Sequence, residues 1–404
     1  MTPASGGPDE VTKEYPVDGL SLDEIERLIG AADGRDDDLW KTISGLGVAR
    51  VARLLVEEIV FRADPANVHR TFDVGLELTG EGIAEPVGYV FRVRPEGQIE
   101  FFEGTSATAV HVISYDCADL VRDVFGHART PRPSRRALRP RFEESHDPSR
   151  DRDLLESVLY SQRATTAVLS GIDAAPPDLG ELSTRYLSDK WGGLHWFTPH
   201  YERHFGGLRH ERLRILEIGI GGFEGRSTGG GSLLMWRRYF PRAVVFGMDI
   251  FDKSGLDQPR IKTLRGDQNN ADWLTGIARE YGPFDIIIDD GSHINEHVLH
   301  SFSVLFEHLR TGGTYVIEDM WTSYCPGYGG DDAAVAGPST SVGLVKKLVD
   351  ALHHEEHHVA AGVAAEGVAS KVAGLHVYRN LAFIDKGINI DGGIPRFIPR
   401  RGLV

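Results

Sequence analysis

The sequence predicts an α/β protein. A doubly wound, largely parallel sheet fills the C-terminal half, and a smaller α+β block precedes it. Three observations carry this. From residue 214 to residue 317, short β-rich runs alternate with helical periods, the pattern of strands joined by crossover helices. Two of those runs, Phe284–Asp289 and Gly312–Ile317, are too short and too apolar for surface helices, and both lead into acids: Asp289-Asp290-Gly291 and Glu318-Asp319. Further upstream, period-two alternation over Thr71–Leu78, Val87–Val93 and Ile99–Phe102 indicates a separate small antiparallel sheet.

The elements follow in order. Residues 1–15 are small and polar and read as a disordered tail. An α+β block spans 16–128. Ser21–Ala32 opens with a capping serine and early acids, and Val48–Phe61 repeats a helical stripe. After the three alternating runs, Ala109–Ser114 is a further strand and Cys117–Phe125 a short helix. Residues 129–181 read as a linker with a connecting helix. Within it, Arg129–Pro140 is proline-rich and basic, an exposed arm, Asp153–Leu169 is helical, and the Ala174–Gly180 stretch breaks it. The second domain, 182–404, has strands at Arg214–Ile220, Ala243–Ile250, Ile261–Gly266, Phe284–Asp289 and Gly312–Ile317. Helices at Gly231–Tyr239, Ala271–Tyr281 and Asn295–Leu309 lie between them, and Leu375–Ile384 closes the sheet as a hairpin.

Composition narrows the partners. The 404 residues are 41% hydrophobic and 25% charged, ordinary for a globular protein with a sizeable core. No apolar run reaches the roughly 18 residues of a membrane span. Two cysteines offer no disulfide framework and suggest a reducing, cytoplasmic setting. A formal net charge of -15 argues against nucleic acid and anionic membrane as partners.

The chemistry gathers at the strand ends, where open α/β sheets bind ligands. The acids after the two apolar strands bring three or four carboxylates together if those strands are neighbours, an arrangement that calls for a cation. Oxygen donors suit Mg²⁺, Ca²⁺ or Mn²⁺ rather than zinc. His293, three residues past Asp290, is placed to act as general base. The first strand runs into Glu217-Ile218-Gly219-Ile220-Gly221-Gly222, with a second glycine cluster and Ser232 before the next helix. This lacks the G-x-G-x-x-G spacing of a dinucleotide site, so a nicotinamide oxidoreductase is the weaker reading. An acid followed by G-x-G suits S-adenosylmethionine, whose amino group is cationic. Asp249, ending the second strand, faces ribose hydroxyls, and Asp267-Gln268, ending the third, lie where adenine belongs.

These motifs, ILEIGIGG, GGGSLLMW, GMDI, GDQ, IIIDDGSH and YVIEDM in that order over about 182–387, resemble the metal-dependent sugar O-methyltransferases of macrolide biosynthesis, the mycinamicin VI 2''-O-methyltransferase and demethylmacrocin O-methyltransferase group. The N-terminal block is similar to the auxiliary domain of that family. The resemblance implies a class I, Rossmann-like methyltransferase domain using S-adenosyl-L-methionine and Mg²⁺. It implies Asp290, Glu318 and Asp319 as metal ligands and His293 as catalytic base. Cofactor contacts would come from Glu217, Gly219, Gly221, Gly222, Ser232, Asp249, Asp267, Gln268 and Asp290. It further implies methylation of a deoxysugar hydroxyl, the 2''-hydroxyl of a 6-deoxyallose on a macrolide such as mycinamicin VI or demethylmacrocin. Another glycosylated natural product is the alternative acceptor. A homotetramer is implied as well.

Three further stretches carry weaker expectations. Trp321–Gly330, aromatic and glycine-rich, is a lid or an acceptor-contacting wall, at even weight with a plain surface loop. Ser188–Gly192 and, more weakly, Tyr201 are candidates at the cofactor's amino-acid end. His354-Glu355-Glu356-His357-His358 matches H-E-x-x-H formally, but its charge on all sides and the lack of a third ligand favour a solvated helix end over a zinc site.

Overall fold

A computed structural model describes residues 19–127, 136–140, 152–172, 177–356, 367–395 and 397–398. The tail at 1–15, most of the basic arm, and His357 and His358 lie outside them. The chain divides into two compact units, Met1–Pro176 and Pro177–Val404.

In the first unit, helix α1 (Leu22–Ala31) begins at the expected capping box, Ser21 and Glu24 closing on each other's backbone. Helix α2 (Asp36–Leu46), not expected from the sequence, starts with three acids at the positive end of its dipole and buries Leu39, Trp40, Ile43 and Leu46. Helix α3 (Val48–Arg62) follows. Strands β1 (Phe72–Thr79), β2 (Val87–Val93), β3 (Ile99–Glu103) and β4 (Ala109–Asp116) lead to α4 (Cys117–Phe125), which Asp116 caps. Strand β5 (Arg136–Pro140) and helix α5 (Arg152–Ser170) complete the unit.

The sheet order is β3-β2-β1-β4-β5. Strands β1, β2 and β3 pair antiparallel as expected, and β4 joins them parallel to β1, which makes the sheet mixed. The end of the basic arm is a strand rather than free linker: residues 136–140 pair antiparallel with β4 and supply hydrogen bonds to its open edge, although all five stay exposed. Arg139 there bonds Glu77 and, at 2.6 Å, Ser114. Leu55, Val74, Phe91, Ile113, Leu120, Phe125 and Val168 join one core.

The second unit opens with two short helices, α6 (Leu179–Arg185) and α7 (Thr198–Phe205). Then strand and helix alternate: β6 (Arg214–Ile218), α8 (Gly231–Tyr239), β7 (Val244–Asp249), β8 (Ile261–Arg265), α9 (Ala271–Tyr281), β9 (Phe284–Asp289), α10 (Asn295–His308) and β10 (Leu309–Ile317). Helix α11 (Ser341–Leu352) and the hairpin β11 (Val372–Tyr378) and β12 (Leu381–Lys386) end it. The strand order is β11-β12-β10-β9-β6-β7-β8; β6 to β10 are parallel and β12 is antiparallel to β10. The chain winds outward from β6 through β7 to β8, then returns to lay β9 on the other side of β6. That reversal opens a crevice at the carboxyl ends of β6 and β9. All six residues of β9 are buried, the four apolar ones as a strand covered on both faces requires and Asp285 and Asp289 with them. Among the described residues no helix is long and apolar enough to cross a membrane.

Candidate active site

The crevice is a cavity of about 580 Å³. Its walls include Gly219–Phe223 after β6, Gly229–Ser232 at the start of α8, Asp249 after β7, Gly266–Gln268 after β8, and Asp290–His293 after β9. Backbone geometry sets its floor. Gly219 holds a φ of +89°, and a Cβ there would overlap the carbonyl oxygen of Asp290. The Asp290 amide in turn donates to Ile218 at 3.0 Å, so the β6 and β9 turns are fastened together. Lys253, 2% exposed, gives its ammonium to three carbonyls of the glycine-rich loop: Phe223 at 2.6 Å, Gly225 at 2.9 Å and Thr228 at 3.1 Å.

Four carboxylates meet beside the cavity. Glu217 comes from β6, Asp290 from the β9 turn, and Glu318 and Asp319 follow β10. Lys190, wholly buried, touches three of them, with Nζ 3.3 Å from Glu217, 2.8 Å from Asp290 and 2.8 Å from Glu318. Burial opposes its charge, but Asp290, Glu318 and Glu217 outweigh that and hold the ammonium well above its usual range. Tyr201 on α7 donates its hydroxyl to Glu318. Burial, reinforced by the charge of Asp290, pushes the Glu318 carboxyl well up. Burial likewise raises Glu217 to about 6, with Lys190 opposing; Ser232 donates to it at 2.8 Å.

Asp319 lies between two imidazoles, His293 3.5 Å from Oδ2 and His195 3.5 Å from Oδ1. Both Asp319 (φ +51°) and His293 (φ +56°) adopt the left-handed conformation, which ordinary side chains take only where the surroundings enforce it. Burial raises the Asp319 carboxyl, and the two histidines offset part of this.

One lysine against four carboxylates, with Glu217, Glu318 and Asp319 buried, leaves a deficit of positive charge, and Asp319 Oδ1 is a buried oxygen without a hydrogen-bond partner. Asp290, His293 and Asp319 each offer a donor atom within 4.8 Å of the others. The carboxylate oxygens of Asp290 and Asp319 fit a divalent cation of the Mg²⁺ or Mn²⁺ type, with the imidazole of His293 beside it.

Comparison with known proteins agrees with this geometry. Residues 25–134 match the family model described as MycE methyltransferase N-terminal. The chain is 42% identical to mycinamicin VI 2''-O-methyltransferase of Micromonospora griseorubida, covering 96% of each chain. It is 45% identical to demethylmacrocin O-methyltransferase of Streptomyces fradiae, covering 93% of this chain and 94% of that one. A solved MycE methyltransferase from the mycinamycin pathway, in complex with Mg, S-adenosylhomocysteine and mycinamycin VI, superposes with a TM-score of 0.84 at 42% identity, over 95% of this chain and 97% of that one. The chain belongs to this family of macrolide sugar O-methyltransferases. Its second unit is the family's Rossmann-like methyltransferase fold, and its first carries the family's N-terminal domain.

For this family member, the structure places the residues singled out in the sequence in two layers. Gly219, Gly221, Gly222, Ser232, Asp249, Asp267, Gln268, Asp290 and His293 line the cavity, while Glu217, Glu318 and Asp319 stand behind its wall. Asp249 also receives the amides of Ile220 at 3.1 Å and Phe251 at 2.9 Å, so it braces the β6 turn. Gln268 donates to buried Asp289 at 3.2 Å and accepts from the Ser292 amide at 2.8 Å, which shapes the β9 turn. In the metal group His293 joins Asp290 and Asp319, whereas Glu318 Oε1 is taken up by Lys190 and Tyr201.

Sequence reasoning passed over His195 and Lys253, and gave Lys190 and Tyr201 little weight. The signal for Lys190 and His195 was a cluster of aromatic and basic residues, KWGGLHW, with no period to it. The H-E-x-x-H run has a local use in its described part: Glu355 accepts the amides of Asp391 at 2.8 Å, Gly392 at 2.9 Å and Gly393 at 3.2 Å.

Proposed function

We propose that this chain transfers a methyl group from S-adenosyl-L-methionine to a sugar hydroxyl of a glycosylated macrolide, with Mg²⁺ held by Asp290, Glu318 and Asp319. The observation that carries this is the convergence of Asp290 and Asp319 with His293 beside a cavity walled by the glycine-rich turn of β6, with Glu318 joined to Asp290 through Lys190. When bound, the metal supplies Lewis acidity toward the sugar hydroxyl and the cofactor supplies an electrophilic methyl. The chain does the rest. Gly219, Gly221 and Gly222 let the cofactor approach the backbone. Glu217, one layer behind Ser232, sets a negative potential for the cofactor's ammonium. Asp249 faces the ribose, and Asp267 with Gln268 borders the adenine end. The imidazole of His293 takes the proton as the sugar oxygen attacks, and Asp319 at 3.5 Å stabilises the resulting imidazolium. Holding the acceptor oxygen in line with the methyl supplies much of the acceleration.

The acceptor we assign is the 2''-hydroxyl of a 6-deoxyallose, as on mycinamicin VI or demethylmacrocin; the name of the mycinamicin relative supports the 2'' position, and the sugar rests on family resemblance. Trp321, 40% exposed and edge-on to Tyr328 at 5.5 Å, gives the macrolide an aromatic wall next to the metal acids. We further assign the N-terminal domain as auxiliary, the oligomer as a homotetramer and the setting as cytoplasmic. Family resemblance supports the first two, and two free cysteines support the last. Light scattering of the purified chain checks the tetramer.

The deciding experiment is mass spectrometry of mycinamicin VI and demethylmacrocin after incubation with enzyme and S-adenosylmethionine, with Mg²⁺ or with EDTA. Gain of one methyl group that EDTA abolishes supports the reading. No gain while the cofactor still binds moves the acceptor to another deoxysugar glycoside. No gain and no cofactor binding refutes it.

A further inference from the structure

One loop meets the whole acid centre. Residues 188–197, between α6 and α7, fold back on themselves: Trp191 and Trp196 form an antiparallel bridge, their rings meet edge to face at 4.6 Å, and the Phe197 amide donates to Lys190 at 3.0 Å. From this loop Lys190 reaches Glu217, Asp290 and Glu318. The fourth carboxylate, Asp319, is met by the loop's other basic side chain, His195, at 3.5 Å.

His195 and His293 occupy different positions around Asp319. His293 faces Oδ2, lines the cavity and stands in the group of donor atoms with Asp290 and Asp319. His195 faces Oδ1, contributes nothing to the cavity wall and lies outside that group. Its ring is held flat on Phe197, with centroids 4.4 Å apart and planes 11° from parallel, so the direction of Nε2 is fixed. Oδ1 of Asp319 is buried and makes no hydrogen bond, and His195 Nε2 stands 3.5 Å from it. A metal-bound carboxylate has two oxygens, and a donor on one of them decides which way the other points.

We propose that His195 is a positioning residue for the metal carboxylate: its Nε2–H holds Oδ1 of Asp319, turning Oδ2 toward the metal and His293. This rests on the metal-dependent reading of the site. Removing such a partner typically weakens metal affinity about 10–100-fold.

The test uses the full chain and Mn²⁺ as probe, titrated by electron paramagnetic resonance, beside calorimetry with S-adenosylhomocysteine. His195→Ala is expected to weaken Mn²⁺ binding by about 10–100-fold, leave S-adenosylhomocysteine affinity unchanged, and regain turnover at saturating metal. His195→Gln, whose amide nitrogen still donates, is expected to recover most of the metal affinity; it also carries the test if the alanine variant does not fold. Unchanged Mn²⁺ affinity in His195→Ala overturns the proposal. Unchanged Mn²⁺ affinity with turnover lost even at saturating metal also overturns it, because His195 then acts on the acceptor. Wild-type protein that binds S-adenosylhomocysteine but no Mn²⁺ overturns the metal reading and this assignment with it, an outcome distinct from a failure confined to the variants.

Discussion

Replacing Gly219 with alanine strikes the junction on which the site is built. The position has a φ of +89°, where a Cβ is strained by about 1–2 kcal/mol. The added methyl would overlap the carbonyl oxygen of Asp290 and lie 2.8 Å from its carbon and 2.9 Å from Gly291 Cα. These are backbone atoms, so no side-chain rotation relieves the contact, and overpacking adds about 1–3 kcal/mol. Together that is about 2–5 kcal/mol, a fall in Tm of roughly 4–20 °C for a unit of this size. Function suffers separately. The β9 turn carries Asp290 to both cofactor and metal, and a shift of about 1 Å in such a group lowers kcat/KM by about 100-fold. Calorimetric melting and methyl-transfer kinetics measure the two effects. Gly276→Ala is the internal control: it lies within α9, a methyl group added there meets nothing within 4 Å, and it should stabilise by about 0.4–1 kcal/mol. If Gly219→Ala melts with the parent and keeps full activity, the proposed junction between the β6 and β9 turns is wrong.

Four more perturbations test other parts of the structure. Burial lifts Glu217 from 4.5 to about 6, so the folded chain binds more protons than the unfolded one in between. Its contribution to stability is complete below pH 4.5 and is lost as pH rises through 6, about 2 kcal/mol in all; melting curves should therefore show wild type losing stability relative to Glu217→Gln by about that amount as pH rises across the window. The cofactor's ammonium group, which S-adenosylhomocysteine retains, lowers this pKa, so S-adenosylhomocysteine binding at pH 6 should release up to about half a proton and at pH 8 almost none, read by calorimetry in buffers of different ionisation heat. Tyr201→Phe removes the hydroxyl that donates to buried Glu318 and should destabilise by about 1.5–3 kcal/mol in calorimetry; a loss below about 0.5 kcal/mol contradicts the bond. Asn270 caps α9 by accepting the Trp273 amide at 3.0 Å, and Asn270→Ala should cost about 1 kcal/mol in chemical denaturation without affecting turnover.

What the sequence reveals of the fold depends on how local its causes are. The capping box at Ser21 and Glu24 is complete within four residues, and it stands where the residues place it. The run Phe284–Asp289 is a covered strand because Phe284, Ile286, Ile287 and Ile288 must all be buried, a condition set by its own composition. Partnership is not local. Nothing within Phe72–Thr79 or Ala109–Asp116 states that these strands lie side by side in parallel, because that follows from where the intervening chain crosses. Arg136–Pro140 has the composition of a linker and becomes a strand only because β4 has an open edge to pair with.

The candidate site divides along the same line. Asp290, His293, Glu318 and Asp319 stand at the ends of strands that periodicity locates, so a pattern of apolar run followed by acid finds them. Lys190, His195 and Tyr201 stand in or beside a loop without a period, and their meaning lies in contacts distant in sequence: Lys190 with Glu217 and, at a separation of 100, with Asp290, and Tyr201 with Glu318 at 117. Electrostatics still predicts that such partners must exist. Four carboxylates brought together by parallel strands cannot stay buried uncompensated, so some segment outside the strands has to supply a cation or a donor. Lys190 meets that demand in part. The charge it leaves unbalanced is the physical reason for this fold to take up both a divalent metal and a cationic cofactor at one place.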